Sequence, residues 1–156
     1  MDKTDPPTSF GVFKPVGYTV IAFRSEVQVQ AAVSALLAQG FASNALVRYT
    51  PEEMTAQVDA QEKVASPLAS LGQELNLIKA HRALAQSGCS FLVVHAPDDA
   101  QAERVADLAR SMKAVAAQHY GSLLIEELIE LPPGETQVFE SPDRGLDLVE
   151  AAVKPR

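Results

Sequence analysis

One run of sequence grammar occurs twice in this chain: an apolar strand, a capping residue, an amphipathic helix, a glycine, and a second strand. It limits the fold because a strand that is apolar on both faces must be covered on both sides. A helix that follows directly has to pack back onto that strand. In the first copy the strand is Tyr18–Phe23, rich in β-branched and aromatic residues. Ser25 follows, with Gln28 three residues on, a capping-box pattern. Val29, Ala32, Val33, Leu36 and Leu37 then mark one helical stripe, Gly40 ends it, and Ala45–Tyr49 reads as the next strand.

The second copy opens with the strand Ser90–Ala96. Asp98 stands three residues before Gln101 and starts a long helix. Ala102, Val105, Leu108, Ala109, Met112, Val115 and Ala116 form its inner face, and Gly121 is its expected stop. Ser122–Glu130 is expected as the fourth strand.

Two more helices are expected between the copies. Thr50-Pro51-Glu52-Glu53 joins an N-cap hydroxyl, proline at the first helical position and glutamate at the third. That helix should run to about residue 65. Ser66-Pro67 repeats the signal and opens a helix to Gln86 with Leu68, Leu71, Leu75 and Ile78 on one stripe, stopped by Gly88.

Proline placement sets the boundaries. Seven of the ten prolines lie in the ends of the chain. Residues 1–16 read as an N-terminal arm, 17–131 as a single α+β domain, and 132–156 as a tail with a short helix over Leu146–Val153. Phe10, Val12, Phe13, Val138 and Phe139 are apolar residues in polar segments, suited to packing on the core or on a partner.

Two strand–helix–strand units build a ferredoxin-like sheet. The expected fold is thus α+β: a four-stranded antiparallel sheet of order 4-1-3-2, with a helical pair inserted between strands two and three. Charge placement agrees, since Arg48 on the second strand and Glu126, Glu127 and Glu130 on the fourth suit exposed edges. The two strand-flanking helices cover only one face. Ile21, Phe23 and their neighbours on the third strand then need a second cover, supplied by the inserted helical pair or by a two-fold homodimer.

Composition narrows the partners. Thirteen Lys and Arg against twenty Asp and Glu give a net charge of −7. An acidic surface without a basic patch argues against nucleic-acid binding. Cys89 is the one cysteine, so no disulfide can form within the chain. The N-terminus shows no apolar signal region, and no apolar run approaches the roughly 20 residues of a membrane helix. The expectation is a soluble cytoplasmic protein with no membrane contact.

The stretch Tyr-Thr-Val-Ile-Ala-Phe-Arg-Ser-Glu, continued by Ala-Ala-Val-Ser-Ala-Leu-Leu-Ala-Gln-Gly-Phe, resembles the general-stress-protein type of small bacterial domain. Gly-Cys-Ser-Phe-Leu-Val-Val-His-Ala-Pro-Asp-Asp and its helix resemble that family's second half. The likeness covers about residues 18–131. The family's middle segment is usually glycine-rich, whereas here it is helical and glycine-poor. The resemblance implies a small cytoplasmic domain of unsettled biochemical role and brings no catalytic residues with it.

The residues themselves offer little chemistry. His81, His95 and His119 fit no zinc spacing, and Glu74 with His81 makes only two ligands on one helical face. No P-loop, GxGxxG or GxSxG occurs. Cys89 reads as a small buried thiol. Arg48 and Tyr49, ahead of the Thr50 helix start, could form an anion-holding corner for a small acidic ligand. His95 and His119 could line a pocket together. Arg48, Tyr49, His95 and His119 are therefore the candidate ligand-binding residues; no catalytic residue, metal or cofactor is expected. The leading expectation is a non-enzymatic stress-related or regulatory domain acting by self-association or through a protein partner. The alternatives are a small-molecule-sensing ferredoxin-like dimer and a small cofactor-free enzyme of that architecture.

Overall fold

A computed structural model of the chain describes residues 1–3, 6–9, 12–64, 73–122 and 124–129. A short hairpin, β1 (Thr8–Ser9) and β2 (Val12–Phe13), precedes the domain. Then come β3 (Tyr18–Phe23), α1 (Glu26–Ala38), β4 (Leu46–Tyr49), α2 (Pro51–Val64), α3 (Gln73–Gln86), β5 (Ser90–His95), α4 (Asp99–Ser111), β6 (Ala116–Tyr120) and β7 (Ile125–Glu127). Phe10, Ser66 to Leu71, Glu130 and the whole tail from 132 fall outside the described residues.

The helices begin where their caps dictate. Ser25 Oγ accepts from the Gln28 backbone N–H at 3.3 Å, and the Gln28 side chain reaches back to the N–H of Arg24, one residue earlier than a capping box requires. Thr50 and Glu53 exchange side-chain bonds of 3.0 and 2.9 Å with each other's backbone N–H, and Asp98 and Gln101 do the same at 2.8 and 3.4 Å. Gly40 ends the α1 turn at φ 98°, where a side chain would be strained.

The main sheet has five antiparallel strands in the order β4-β5-β3-β6-β7. The central position of β3 and β5 agrees with their apolarity, and the edges carry Arg48 and the pair Glu126 and Glu127, as charge suggested. The expected last helix and fourth strand are corrected. α4 stops at Ser111, and residues 116–120, expected in that helix, are the strand paired with β3. The expected strand 122–130 shrinks to the three residues of β7 and lies outside β6. The cause is a helix stop without glycine: Lys113 adopts φ 57°, and the N–H of Ala114 bonds back to the Ala109 carbonyl at 3.0 Å. Gly121 instead serves the β6–β7 turn, its N–H bonded to the Leu124 carbonyl at 2.8 Å.

Two cores lie on opposite faces of the sheet. α1 and α4 cover Ile21, Phe23, Leu92, Val94 and Ala117. α2 and α3 cover Val20, Ala22, Phe91, Val93 and Ala116, using Met54, Val58, Leu77 and Ile78. The second face is thus closed by the inserted helical pair. Ile21 and Phe23 belong to the first face instead, because the pleat sends alternate residues to opposite sides. β2 lies against α2 and α3, so the arm packs on this layer.

Candidate functional site

The pleat also decides what the four candidate residues can do together. Arg48 and Tyr49 are successive residues and leave β4 on opposite faces. Arg48 is exposed and donates from Nη1 to Gln30 Oε1 of α1 at 2.6 Å. Tyr49 is buried against α2, donating its hydroxyl to Gln57 Oε1 at 2.9 Å. Burial pushes this phenol far above its ordinary range, and the nearby Glu53 and Asp2 carboxylates push the same way. The backbone N–H groups of Thr50 and Glu53 beside them are bonded within the cap. Glu53 accepts from the Thr50 N–H and from Lys3 Nζ at 2.9 Å, and these bonds hold its carboxyl below the usual range. Lys3 also bonds the Arg48 carbonyl at 2.9 Å and lies 5.3 Å from the Tyr49 ring centre. Within this corner the Glu53 carboxylate is the anion that the Thr50 N–H and Lys3 hold.

His95 and His119 are likewise on opposite faces and share no pocket. His95 pairs across the strands with Tyr18, their ring centres 4.6 Å apart, and is exposed at the end of β5. His119 pairs with Thr19 on the α1/α4 side, its Nδ1 2.9 Å from Thr19 Oγ1. Glu126 stands opposite His119 on β7.

A third histidine holds the most unusual position. His81 of α3 is 1% exposed and packs edge-on to Phe91, ring centres 5.7 Å apart. Its Nε2 lies 3.1 Å from Gln118 Oε1, and Gln118 Nε2 lies 3.2 Å from Glu127 Oε1. The carboxylate fixes the direction of this row. Glu127 can only accept, so Gln118 presents its amide nitrogen outward and its oxygen inward. His81 must then carry its proton on Nε2, which leaves Nδ1 as a bare acceptor. That atom is buried and has no hydrogen-bond partner, and the same holds for Gln57 Nε2. Burial lowers the His81 pKa to about 4, against a smaller opposing effect of the Gln118 bond. Glu127 is raised above its ordinary value, because its carboxyl is partly desolvated where it meets Gln118. Both unpartnered atoms lie on the α2/α3 side.

Other features supply less. An open groove of about 450 Å³ runs between the start of α2 and the end of α3, walled by Glu52, Asp59 and Gln86 over Pro51, Ala56 and Ala85. Asp59 is already paired with Arg82 at 2.7 Å, and Arg82 also binds Glu62. Among the described residues no three side chains gather that could hold a metal ion. Cys89 is buried, with the Ser87 hydroxyl 3.8 Å away. No described helix is long and apolar enough to cross a membrane.

The outer side of α1 was not singled out in the sequence, and Leu37, expected on the apolar stripe with Val29, Ala32, Val33 and Leu36, lies there instead, because one residue beyond Leu36 turns 100° away from the buried face. Val27 is 77% exposed and Leu37 44%, with Gln30, Ala31, Ser34 and Ala38 exposed between and beside them. From Val27 through Val47 there is no Asp, Glu, Lys or Arg, the longest such stretch in the chain. α4 by contrast shows Asp99, Glu103, Arg104, Asp107 and Arg110 to water. The charge-free run was the available signal.

No protein-family model matches the chain, and neither curated proteins nor solved structures yield a match.

Proposed function

We propose that this chain is a non-catalytic α+β domain that works by docking the outer side of α1 against a protein surface. The observation that carries this reading is a fully formed helix whose solvent side bears no charge between Val27 and Ala38. A helix that is hydrophobic all round is normally buried, and α1 adds exposed Val27 and Leu37 on its outer side to the buried stripe on its inner one. The candidate residues Arg48, Tyr49, His95 and His119 are dispersed over two faces, which favours association over catalysis. We read the sheet as a ferredoxin-like layer extended by β7 and covered on its second face by α2 and α3. A stress or regulatory setting rests on the resemblance of residues 18–131 alone.

The test is site-specific photocross-linking in cells expressing the full chain. A photoreactive residue at Val27 or Leu37 should trap a polypeptide, and one at Arg104 on α4 should not. Absence of any adduct from α1, or equal trapping from both helices, would remove the reading.

A second reading, a small-molecule sensor, is favoured by the unpartnered His81 Nδ1 and Gln57 Nε2 beneath α2 and α3. Bound ligand stabilises the folded state by mass action. A metabolite that raises the Tm of the wild type but not of His81→Leu would support it. A panel that raises neither would end it.

A further inference from the structure

We infer that residues 1–3 are a strap that closes the outer edge of β4, and that Glu53 ties this strap to the start of α2. The sheet ends in β4 on one side and in β7 on the other. An edge strand offers unpaired N–H and C=O groups to any extended chain, so it is guarded by shortness, by charge or by a cover. β7 has the first two guards, being three residues long with Glu126 and Glu127 among them. β4 carries one charge, Arg48, among Leu46, Val47 and Tyr49, so it needs a cover.

That cover runs along the strand. Arg48 gives its carbonyl to Lys3 Nζ at 2.9 Å, so its main-chain groups point away from β5. Leu46, two residues back, shares that direction and donates its N–H to the Ser43 carbonyl of the preceding turn. Just past the strand, the Thr50 N–H goes to Glu53 Oε1 at 2.9 Å. Of these three closures, the one by Lys3 comes from far along the chain.

Lys3 is seated by further contacts. Its ammonium donates to Glu53 Oε2 at 2.9 Å and lies 5.3 Å from the Tyr49 ring centre, within cation–π range. Asp2 forms an isolated β-bridge, and Met1 packs, partly buried, against the α2/α3 core. Glu53 therefore divides its oxygens between strap and helix: Oε2 holds Lys3, and Oε1 closes the α2 cap. Whatever lifts Lys3 frees the carboxylate that caps α2, and a loosened cap weakens the seat of Lys3. Both side chains are more than a third exposed, so their pairing opens readily and is screened by salt. None of these contacts involves the outer side of α1, so the strap is separate from the docking role proposed there.

Amide hydrogen exchange of the full ¹⁵N-labelled chain tests this, with circular dichroism to confirm folding of each variant. Lys3→Ala should speed exchange at Arg48 and Thr50 by roughly two- to fivefold, the range of an exposed ion pair, and leave Leu92 and Val93 of β5 unchanged. Lys3→Arg, which keeps the charge and the donors, should restore the wild-type rates. Salt should speed the same two amides in the wild type and not in Lys3→Ala. Glu53→Gln keeps an oxygen for the Thr50 N–H but offers Lys3 no anion, so Arg48 should speed up more than Thr50. Wild-type rates at both amides in Lys3→Ala overturn the strap. Faster exchange at Arg48 alone overturns the tie to α2. Equal acceleration at Leu92 and Val93 shows general loosening and overturns both.

Discussion

The two faces of the sheet are built from the same strands yet differ in chemistry. Under α1 and α4 the core is almost wholly apolar, with Thr19 and His119 bonded to each other at its border. Under α2 and α3 the apolar cluster is threaded by Tyr49–Gln57 and His81–Gln118–Glu127, and it holds two buried polar atoms without partners. The dry layer comes from helices directly joined to the central strands. The polar layer comes from the helical pair inserted between β4 and β5. A buried acceptor such as His81 Nδ1 costs about 1–3 kcal/mol relative to a bonded one. The α2/α3 layer therefore holds the sheet less economically and depends on protonation state.

The sharpest test of this contrast removes one large ring from each face. Phe23→Ala empties the α1/α4 core and Phe91→Ala the α2/α3 core; each side chain is fully buried, and each change should cost about 3–5 kcal/mol in denaturant unfolding. If Phe91→Ala cost under about 1 kcal/mol, the second layer would not be a true core.

The next effect separates the faces by pH. Unfolded His81 binds a proton near 6.5, but the folded group only near 4. Between these values the unfolded chain holds more protons, so stability falls as pH drops through that window, by about 3 kcal/mol in all. His81→Leu should flatten that slope. Glu127 acts in the opposite sense: its raised value means that the folded chain binds the extra proton, so its contribution is lost as pH rises above the ordinary carboxylate range.

Gln118→Leu breaks both bonds of the row and should cost about 1–3 kcal/mol in chemical denaturation, with His81 and Glu127 each left without that partner. The smallest expected effect is at the α2 cap. Thr50→Ala removes the bond to the Glu53 N–H and should cost about 1 kcal/mol in thermal melts.

Most of the framework was legible in the chain because caps are local. Ser25, Thr50 and Asp98 each start a helix that the structure contains, and β3 and β5 are central as their two-sided apolarity requires. The reading failed where the signal was absent or counterfeit. Lys113 ends α4 in a conformation normally supplied by glycine, while Met112, Val115 and Ala116 continue a helical spacing. Ala116-Ala117-Gln118-His119-Tyr120 has little β-branched character, so β6 becomes a strand through its pairing with β3 and not through propensity. The pairings among the candidate residues were hidden for a different reason. Nearness in sequence placed Arg48 beside Tyr49, but strand alternation parts them. His81 was visible only as a helical histidine, since its partner Gln118 lies 37 residues away on a strand that was not expected.

The closure of the sheet's second face by α3 can be read directly at His81. A long-range ¹H–¹⁵N spectrum of the imidazoles, followed across pH, should show His81 protonated on Nε2 and bare on Nδ1, titrating near 4. A resonance that titrates near 6.5, or a proton on Nδ1, would contradict the buried row and with it the layer that α2 and α3 form.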